Sequence, residues 1–318
     1  MIPSRTGESP QSSLLTAPLP RSRSRWWNRG AVRRNLTAYL MISPFMVLFI
    51  IFHFIPFFWA IWLSSLKGLL VQPDKSFVGF QNYAALTTDT ITVQVFRNSF
   101  EYTIAVVPIA VVTSIAMAFL ISNRFVRFRS FFRGVVYFPL LASGAAVALV
   151  WSYILAPKFG LLSYLLSMVG LPDIYWLSDP KLALWAILLV NWWAGIGFHV
   201  ILFLAAMLGI PREMQEAARV DGANAWQTAI RVTIPLMQPV ILFSVVMGTI
   251  WAFQLFDTVF VMTQGGPAYS TATIVWYIYS YAFRYSQVGM AAAMGVVLLL
   301  IIMPISLIQM RVLRRNWD

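Results

Sequence analysis

Cysteine is absent from this 318-residue chain, and histidine and acidic residues are scarce. Without thiols, the chain can form neither disulfides nor thiolate metal sites. The only two histidines, His53 and His199, both lie within apolar runs, so a zinc site built from them would lack further ligands. We therefore expect no metal site in this chain.

Charge of either sign is also scarce, since 11% of the residues are charged and 59% are hydrophobic. A soluble domain would carry about a quarter charged residues. The apolar residues form blocks of about 20, which is long enough for an α-helix to cross a hydrocarbon core of ~30 Å. The sequence therefore predicts an all-α integral membrane protein with six transmembrane helices. The predicted spans are about 36–66, 98–121, 134–156, 182–209, 240–262 and a sixth ending near residue 310, with Trp276 to Tyr285 leading into or belonging to the sixth.

The formal net charge of +12 is unevenly distributed along the chain. Of the 23 Lys and Arg residues, 17 lie in the N-terminal tail, the second and fourth loops and the C-terminus. Because cytoplasmic loops carry an excess of Lys and Arg, both termini are predicted to be cytoplasmic, and membrane lipids rather than nucleic acid are the expected neighbours of this charge. Residues 1–35 are basic and lack an apolar period, so we expect a mostly disordered cytoplasmic tail, followed by a six-helix transmembrane domain at 36–318.

No phosphate-binding loop is present, because none of the four lysines follows a glycine. The spans also offer no paired carboxylates and no nucleophile with an adjacent base. We therefore expect that the chain is not an enzyme by itself and that no cofactor binds to it.

A polar island at about residues 210–238 separates two apolar runs and contains three of the eleven acids. Pro211 suits the first turn of a short helix, and Gly222 can reverse the chain without steric cost. Asn224 can cap a second helix, which Pro235 would end. Two interpretations stay open on this pattern: a surface loop packed on its own spans, or a segment that docks on another protein.

The island contains the motif Glu216-Ala-Ala-Arg-Val-Asp221-Gly222-Ala223, with Ile234-Pro235 and Pro239 downstream. This motif resembles the EAA loop of binding-protein-dependent ABC importer permeases. In that family the loop is a coupling helix that inserts into a groove on a cytoplasmic ATPase. The resemblance implies an ATPase-coupling role for Glu216, Ala217, Ala218, Asp221, Gly222, Ala223 and Pro235.

Three further motifs resemble the sugar permeases of the maltose and glycerol-3-phosphate type. They are Thr263-Gln-Gly-Gly-Pro267, Gly79-Phe-Gln-Asn82-Tyr83 and Asn98-Ser-Phe100. The resemblance implies a type I ABC importer permease fold in a bacterial inner membrane and import of a sugar or sugar-like compound, such as an oligosaccharide or glycerol-3-phosphate. It also implies three kinds of partner: a second homologous permease subunit, two ATPase subunits that bind ATP and Mg, and an extracytoplasmic sugar-binding protein.

Two other functions stay open on the residues alone. An ion-coupled secondary transporter would require paired intramembrane acids or broken, repeated half-helices. Asp257 is the one candidate, because Glu101 at the start of the second span is four residues from Arg97 and is explained by an interfacial ion pair. The other alternative is a membrane scaffold with no transport role.

Polar residues within spans are candidate sites for a substrate. Asn191 and Gln254 lie beside tryptophans, a mixture that suits sugars, although both amides could instead bond to neighbouring helices. For His199 we favour a hydrogen bond between helices. The resemblance to maltose-type permeases maps sugar contacts near Asn191, Gly195, Phe198, Gly248, Trp251, Ala252 and Leu255, and Gln254 could supply an amide that Ala252 and Leu255 lack.

Overall fold

A computed structural model describes residues 29–68, 76–122 and 128–314, with side chains described over 37–68, 76–122 and 128–312. Most of the predicted tail and part of the second loop lie outside the described residues. The chain divides into two compact units, residues 1–56 and 57–318. The packing that positions the candidate sites lies within the second unit.

The described residues are almost entirely helical. The α-helices are α1 Arg29–Phe49, α2 Ile55–Ser64, α3 Gln81–Thr88, α4 Thr90–Ser122, α5 Arg129–Tyr137, α6 Gly144–Ile154, α7 Leu161–Met168, α8 Ala183–Leu208, α9 Arg212–Val220, α10 Ala225–Thr228, α11 Ile234–Leu236, α12 Gln238–Phe253, α13 Asp257–Met262, α14 Ile274–Tyr279 and α15 Val288–Arg314. Short π-helical turns cover Ile50–Phe54, Ala229–Thr233 and Ser280–Arg284, and a 3-10 turn covers Phe138–Leu141. Strands β1 Leu66–Lys67 and β2 Ser76–Phe77 pair antiparallel, with Leu66 opposite Phe77.

Five helical segments within the described residues are long and apolar enough to cross a membrane. They are Thr37–Ser64, Thr90–Ser122, Ala183–Leu208, Gln238–Met262 and Val288–Val312. A sixth span is formed if the bent pair Arg129–Leu141 and Gly144–Ile154 is counted as one. The predicted all-α membrane fold is confirmed, and six spans agree with this count.

The third span is not the continuous helix that the sequence predicts for residues 134–156. It breaks at Ala142 and Ser143, where the two helical parts meet at 98°. Pro139 lies in the 3-10 turn before the break and cannot donate a backbone N–H to continue the helix. Ser143 then starts α6, because its Oγ accepts a hydrogen bond from the backbone N–H of Ala146 at 3.2 Å.

One other predicted boundary differs from the structure. The second span begins at Thr90 rather than near Asn98, because the helix extends beyond the purely apolar residues that set the predicted end. The segment from Trp276 to Tyr285 leads into the sixth span, as one of the two predicted alternatives has it: it falls in α14 and the π-helical turn that ends at Arg284, and the span itself begins at Val288.

Buried amides explain why two of the motif segments carry asparagine. The Nδ2 of Asn82 donates to the carbonyl oxygens of Ser64 at 2.8 Å and Leu66 at 2.9 Å. The Nδ2 of Asn98 donates to the carbonyl oxygens of Tyr269 at 2.7 Å and Ala272 at 3.0 Å. Each amide therefore bonds two carbonyl groups of another segment and holds that segment against its own helix.

Candidate functional site

The first candidate site is the helical pair α9–α10, which the sequence predicts as the coupling segment. Helix α9 ends in a Schellman motif. The backbone N–H of Ala223 donates to the Ala218 carbonyl at 2.9 Å, and that of Gly222 donates to the Arg219 carbonyl at 3.0 Å. This motif needs a left-handed residue, and Gly222 has φ +84°. The predicted glycine turn is confirmed.

Helix α10 begins three residues beyond Gly222, and its N-cap residue Asn224 is part of a capping box. The Asn224 side chain accepts from the backbone N–H of Gln227 at 2.8 Å, while the Gln227 side chain accepts from the backbone N–H of Asn224 at 2.9 Å. These reciprocal bonds satisfy two N–H groups that a helix start leaves free. The two caps together set the direction of the chain between α9 and α10.

The prolines of this segment lie slightly differently from the prediction. Pro211 precedes the first residue of α9 as its N-cap. Pro235 does not end a helix but lies in the first turn of α11, directly after the π-helical turn Ala229–Thr233. Pro235 has no backbone N–H to donate, and the wider π-helical turn before it lets the chain continue as a helix without that hydrogen bond.

The surface of α9 and α10 leaves large apolar side chains exposed. Val220 is 87% exposed and Trp226 is 73% exposed, and Met214 and Ile230 are exposed as well. The predicted coupling residues Glu216, Ala217, Asp221, Gly222 and Pro235 are exposed, and Ala218 and Ala223 are partly exposed. An apolar patch with acids beside it is typical of a surface that another protein covers.

The second candidate site is a cavity of about 170 Å³ among α4, α8 and α12. Six of the eight predicted substrate-path residues line it: Asn191, Gly195, Gly248, Trp251, Ala252 and Leu255. Phe198 lies behind Trp251, with 5.0 Å between the ring centroids. Gln254 is exposed at the end of α12 and does not line this cavity, so its place on the path stays a prediction.

One wall of the cavity was not predicted. It consists of side chains of α4, together with three residues of α8 and α12 that the sequence analysis did not assign to the path. They are Tyr102, Val106, Val107, Ala110, Val111, Trp192, His199 and Ser244. The valines and alanine of α4 are apolar like the rest of the span, so the sequence does not distinguish them as cavity residues. The hydroxyl of Tyr102 is the one feature of α4 that could have indicated this wall.

The polar groups of the cavity hold helices together. Asn191 donates from Nδ2 to the Ile187 carbonyl at 2.9 Å and accepts at Oδ1 from the Thr258 hydroxyl at 2.8 Å. His199 is buried, and its Nδ1 is hydrogen-bonded to the Ser244 hydroxyl at 2.7 Å, which confirms the expected bond between helices. A sugar hydroxyl could therefore accept from the second N–H of Nδ2, or share Oδ1 with the Thr258 hydroxyl.

Asp89 lies directly before α4, just outside the second membrane-spanning segment. Its carboxylate accepts from the Thr92 hydroxyl at 2.6 Å, and from the backbone N–H groups of Thr92 at 3.1 Å and Ile91 at 3.3 Å. Partial burial raises the pKa of the carboxyl, but these hydrogen bonds outweigh it, so the pKa lies below its usual value. The carboxylate is also favourably placed against the positive end of the α4 dipole.

Exposed helices α9 and α10, together with long apolar spans that enclose a cavity, are features of a membrane transport subunit. Comparison with known proteins identifies the family. Residues 110–317 match the family described as "Binding-protein-dependent transport system inner membrane component". The chain belongs to this family, and the predicted resemblance to ABC importer permeases is confirmed.

Relatives of similar length support the match. The probable ABC transporter permease protein YurN of Bacillus subtilis (strain 168) is 31% identical, over 88% of this chain and 96% of that protein. The arabinooligosaccharides transport system permease protein AraP of the same organism is 27% identical, over 90% of this chain and 91% of that protein. A crystal structure of a bacterial ABC transporter involved in the import of the acidic polysaccharide alginate is 25% identical, with a TM-score of 0.81 over 91% of this chain and 99% of that one.

Membership in this family does not support the ion-coupled alternative. The break in the third span is one of the features that an ion-coupled transporter would have. Two acidic residues, Glu101 and Asp257, lie within the five unbroken spans of the described residues, but Glu101 is partnered by Arg97 at 2.6 Å rather than by a second acid.

Proposed function

We propose that this chain is a permease subunit of an ATP-driven importer for sugars or sugar-like compounds in a bacterial inner membrane. It forms half of the translocation pore beside a second homologous permease subunit. Two cytoplasmic ATPase subunits bind ATP and Mg and supply the energy, and an extracytoplasmic sugar-binding protein delivers the substrate. Both termini and α9–α10 lie in the cytoplasm.

The observation that carries this proposal is the capped, exposed helical pair α9–α10 in a chain of this family. The Schellman motif and the capping box fix both helices locally, so they keep their shape with little support from the spans. A rigid segment with an apolar surface can transmit a push or pull from an ATPase without deforming. Trp226 and Val220 provide the apolar contact area, and Glu213 and Glu216 provide charge on the same helical pair.

The pathway for substrate is proposed to pass through the cavity between α4, α8 and α12. Trp251 offers an aromatic face to sugar C–H groups, and Asn191 offers an amide to hydroxyl groups. A single polar pair would bind a sugar weakly, which suits a pathway that must release its substrate. The second permease subunit supplies the opposite wall, and the names of relatives such as AraP favour an oligosaccharide.

Coupling follows from the chain connections. Helix α8 leads through Gly209 and Pro211 into α9, and α10 leads through α11 into α12. A displacement of α9–α10 by the ATPase therefore moves α8 and α12, which carry two walls of the cavity. The spans then alternate between openings toward the two sides of the membrane.

The proposal is tested by expressing the chain with its co-encoded subunits and reconstituting the complex in proteoliposomes. ATPase subunits should co-purify with the chain, and uptake of a labelled oligosaccharide should require ATP and the sugar-binding protein. Uptake should persist when ionophores dissipate ion gradients. Uptake by this chain alone, driven by a proton or sodium gradient, would contradict the proposal, and so would unchanged sugar uptake after deletion of the chain.

A further inference from the structure

Helix α7 lies between the third and fourth spans and presents an apolar stripe that no described residue covers. Leu161, Tyr164, Leu165 and Met168 recur at the spacing of one helical face, and all four are exposed. The opposite face is occupied, because Leu162 packs into a small core and Ser163 is buried. The Ser163 hydroxyl donates to the Ala156 carbonyl at 3.2 Å, which fixes the rotation of α7 against the end of α6.

The surroundings of the stripe contain no charge. Residues 159–172 form an uncharged stretch of 14 residues between Lys158 and Asp173. Phe159, Val169 and Leu171 are also exposed and extend the apolar surface beyond both ends of α7. A connection that faced water would expose polar residues instead, so this surface is built for an apolar neighbour.

The neighbour is indicated by the exposed residues on either side. Tyr153 in the last turn of α6 and Trp185 in the first turn of α8 are exposed, and so is Tyr175 in the connection between them. Tyrosine and tryptophan at the ends of spans are typical of the boundary between lipid and water. Leu149 and Val150, one turn earlier in α6, are also exposed, so exposed apolar residues extend into the half of the bent third span that precedes α7.

We propose that α7 lies in the interface of the lipid bilayer on the extracytoplasmic side, with Leu161, Tyr164, Leu165 and Met168 inserted among the acyl chains. Short amphipathic helices with a wide apolar face bind in this way. The interaction anchors the connection between the third and fourth spans to the membrane surface. Helix α6, which follows the break in the third span, ends at this anchor. The lipid therefore holds α6 in place through α7. The extracytoplasmic placement of α7 rests on the topology of the proposed function.

The absence of cysteine from the chain makes a direct test possible. A nitroxide label is attached to L165C in the complete complex in proteoliposomes, and its collision rates with oxygen and with the nickel chelate NiEDDA are measured. Oxygen concentrates in lipid, whereas NiEDDA stays in water. Two labelled variants serve as matched references: L149C, at an exposed position of α6 inside the membrane, and T87C, at an exposed position of α3 outside the spans.

The proposal expects the label at residue 165 to resemble the label at residue 149. Its ratio of oxygen to NiEDDA collisions should exceed that of the residue 87 label several-fold, in complexes that retain ATP-dependent uptake. A ratio equal to that at residue 87 would mean that the stripe faces water. Low collision rates with both reagents would mean that another protein covers it. Either of these two results would overturn the proposal.

Discussion

Gly170 and Gly222 occupy the same position in two copies of one helix-ending motif. Gly170 has φ +70° and Gly222 has φ +84°, and neither has another group within 4 Å of the place where a Cβ would lie. In both motifs a second bond closes the turn, from Leu171 N–H to the Leu166 carbonyl at 3.0 Å and from Ala223 N–H to the Ala218 carbonyl at 2.9 Å. The two glycines therefore share a local conformation, but one follows α7 and the other lies in the proposed coupling segment.

The same substitution at the two glycines distinguishes an effect on coupling from an effect on folding. We expect Gly222→Val to lower ATP-dependent uptake at least about tenfold, because a β-branched residue in the left-handed region costs roughly 1–2 kcal/mol and changes the direction of the chain into α10. Gly170→Val carries the same conformational cost and should retain most of the uptake. Uptake and co-purification of the ATPase subunits are measured for both variants. Equal losses in the two variants would assign the effect to folding rather than to coupling.

The capping box provides a second test of the coupling segment. Asn224→Ala removes the acceptor of the Gln227 N–H and should destabilise the start of α10 by about 1 kcal/mol. We expect weaker stimulation of ATP hydrolysis by the sugar-loaded binding protein, whereas Asn224→Ser keeps an acceptor and should retain it. If Asn224→Ala hydrolyses ATP like the unmodified complex, the rigid-segment account of coupling is wrong.

The cavity can be filled without a steric clash. Gly195 lines it, and nothing lies within 4 Å of the place where a Cβ would be built, so Gly195→Leu should place its side chain in the space of about 170 Å³. We expect sugar uptake to be lost while the complex still assembles and hydrolyses ATP. Gly295→Leu is the matched control, since Gly295 also lies inside a long helix with open space around it and does not line the cavity. Normal uptake by Gly195→Leu would exclude this cavity from the pathway.

The Asp89 carboxylate predicts an acid-dependent contribution to stability. The pKa of Asp89 is lower in the folded protein than in the unfolded chain, where it is near 3.9. The ionised carboxylate therefore stabilises the fold at pH values above the unfolded pKa, and this stabilisation is lost as the pH falls through the folded pKa. Asp89→Ala should therefore lower the thermal unfolding temperature at pH 7. The difference from the unmodified protein should shrink when the pH is lowered below about 4. A difference that does not change with pH would show that ionisation of Asp89 contributes nothing.

The local features of the chain were determined by its sequence. A left-handed turn requires glycine at residue 222, and an amide at residue 224 caps a helix whatever lies around it, so the coupling segment could be predicted closely. Apolar blocks long enough to cross a membrane, together with the family motifs, likewise determined the class of protein. These signals depend on neighbours in the chain, which a sequence displays directly.

The tertiary structure decided which side chains face the cavity beyond the six that the family resemblance had already indicated. Gln254 was predicted on the pathway from its polarity, yet α12 ends at Phe253 and leaves this amide exposed. The apolar wall from α4 and the 98° break in the third span were not predicted either. Every residue of an apolar span has a similar hydropathy, so the direction in which each side chain points depends on how the helices pack. Only the packed helices contain that information.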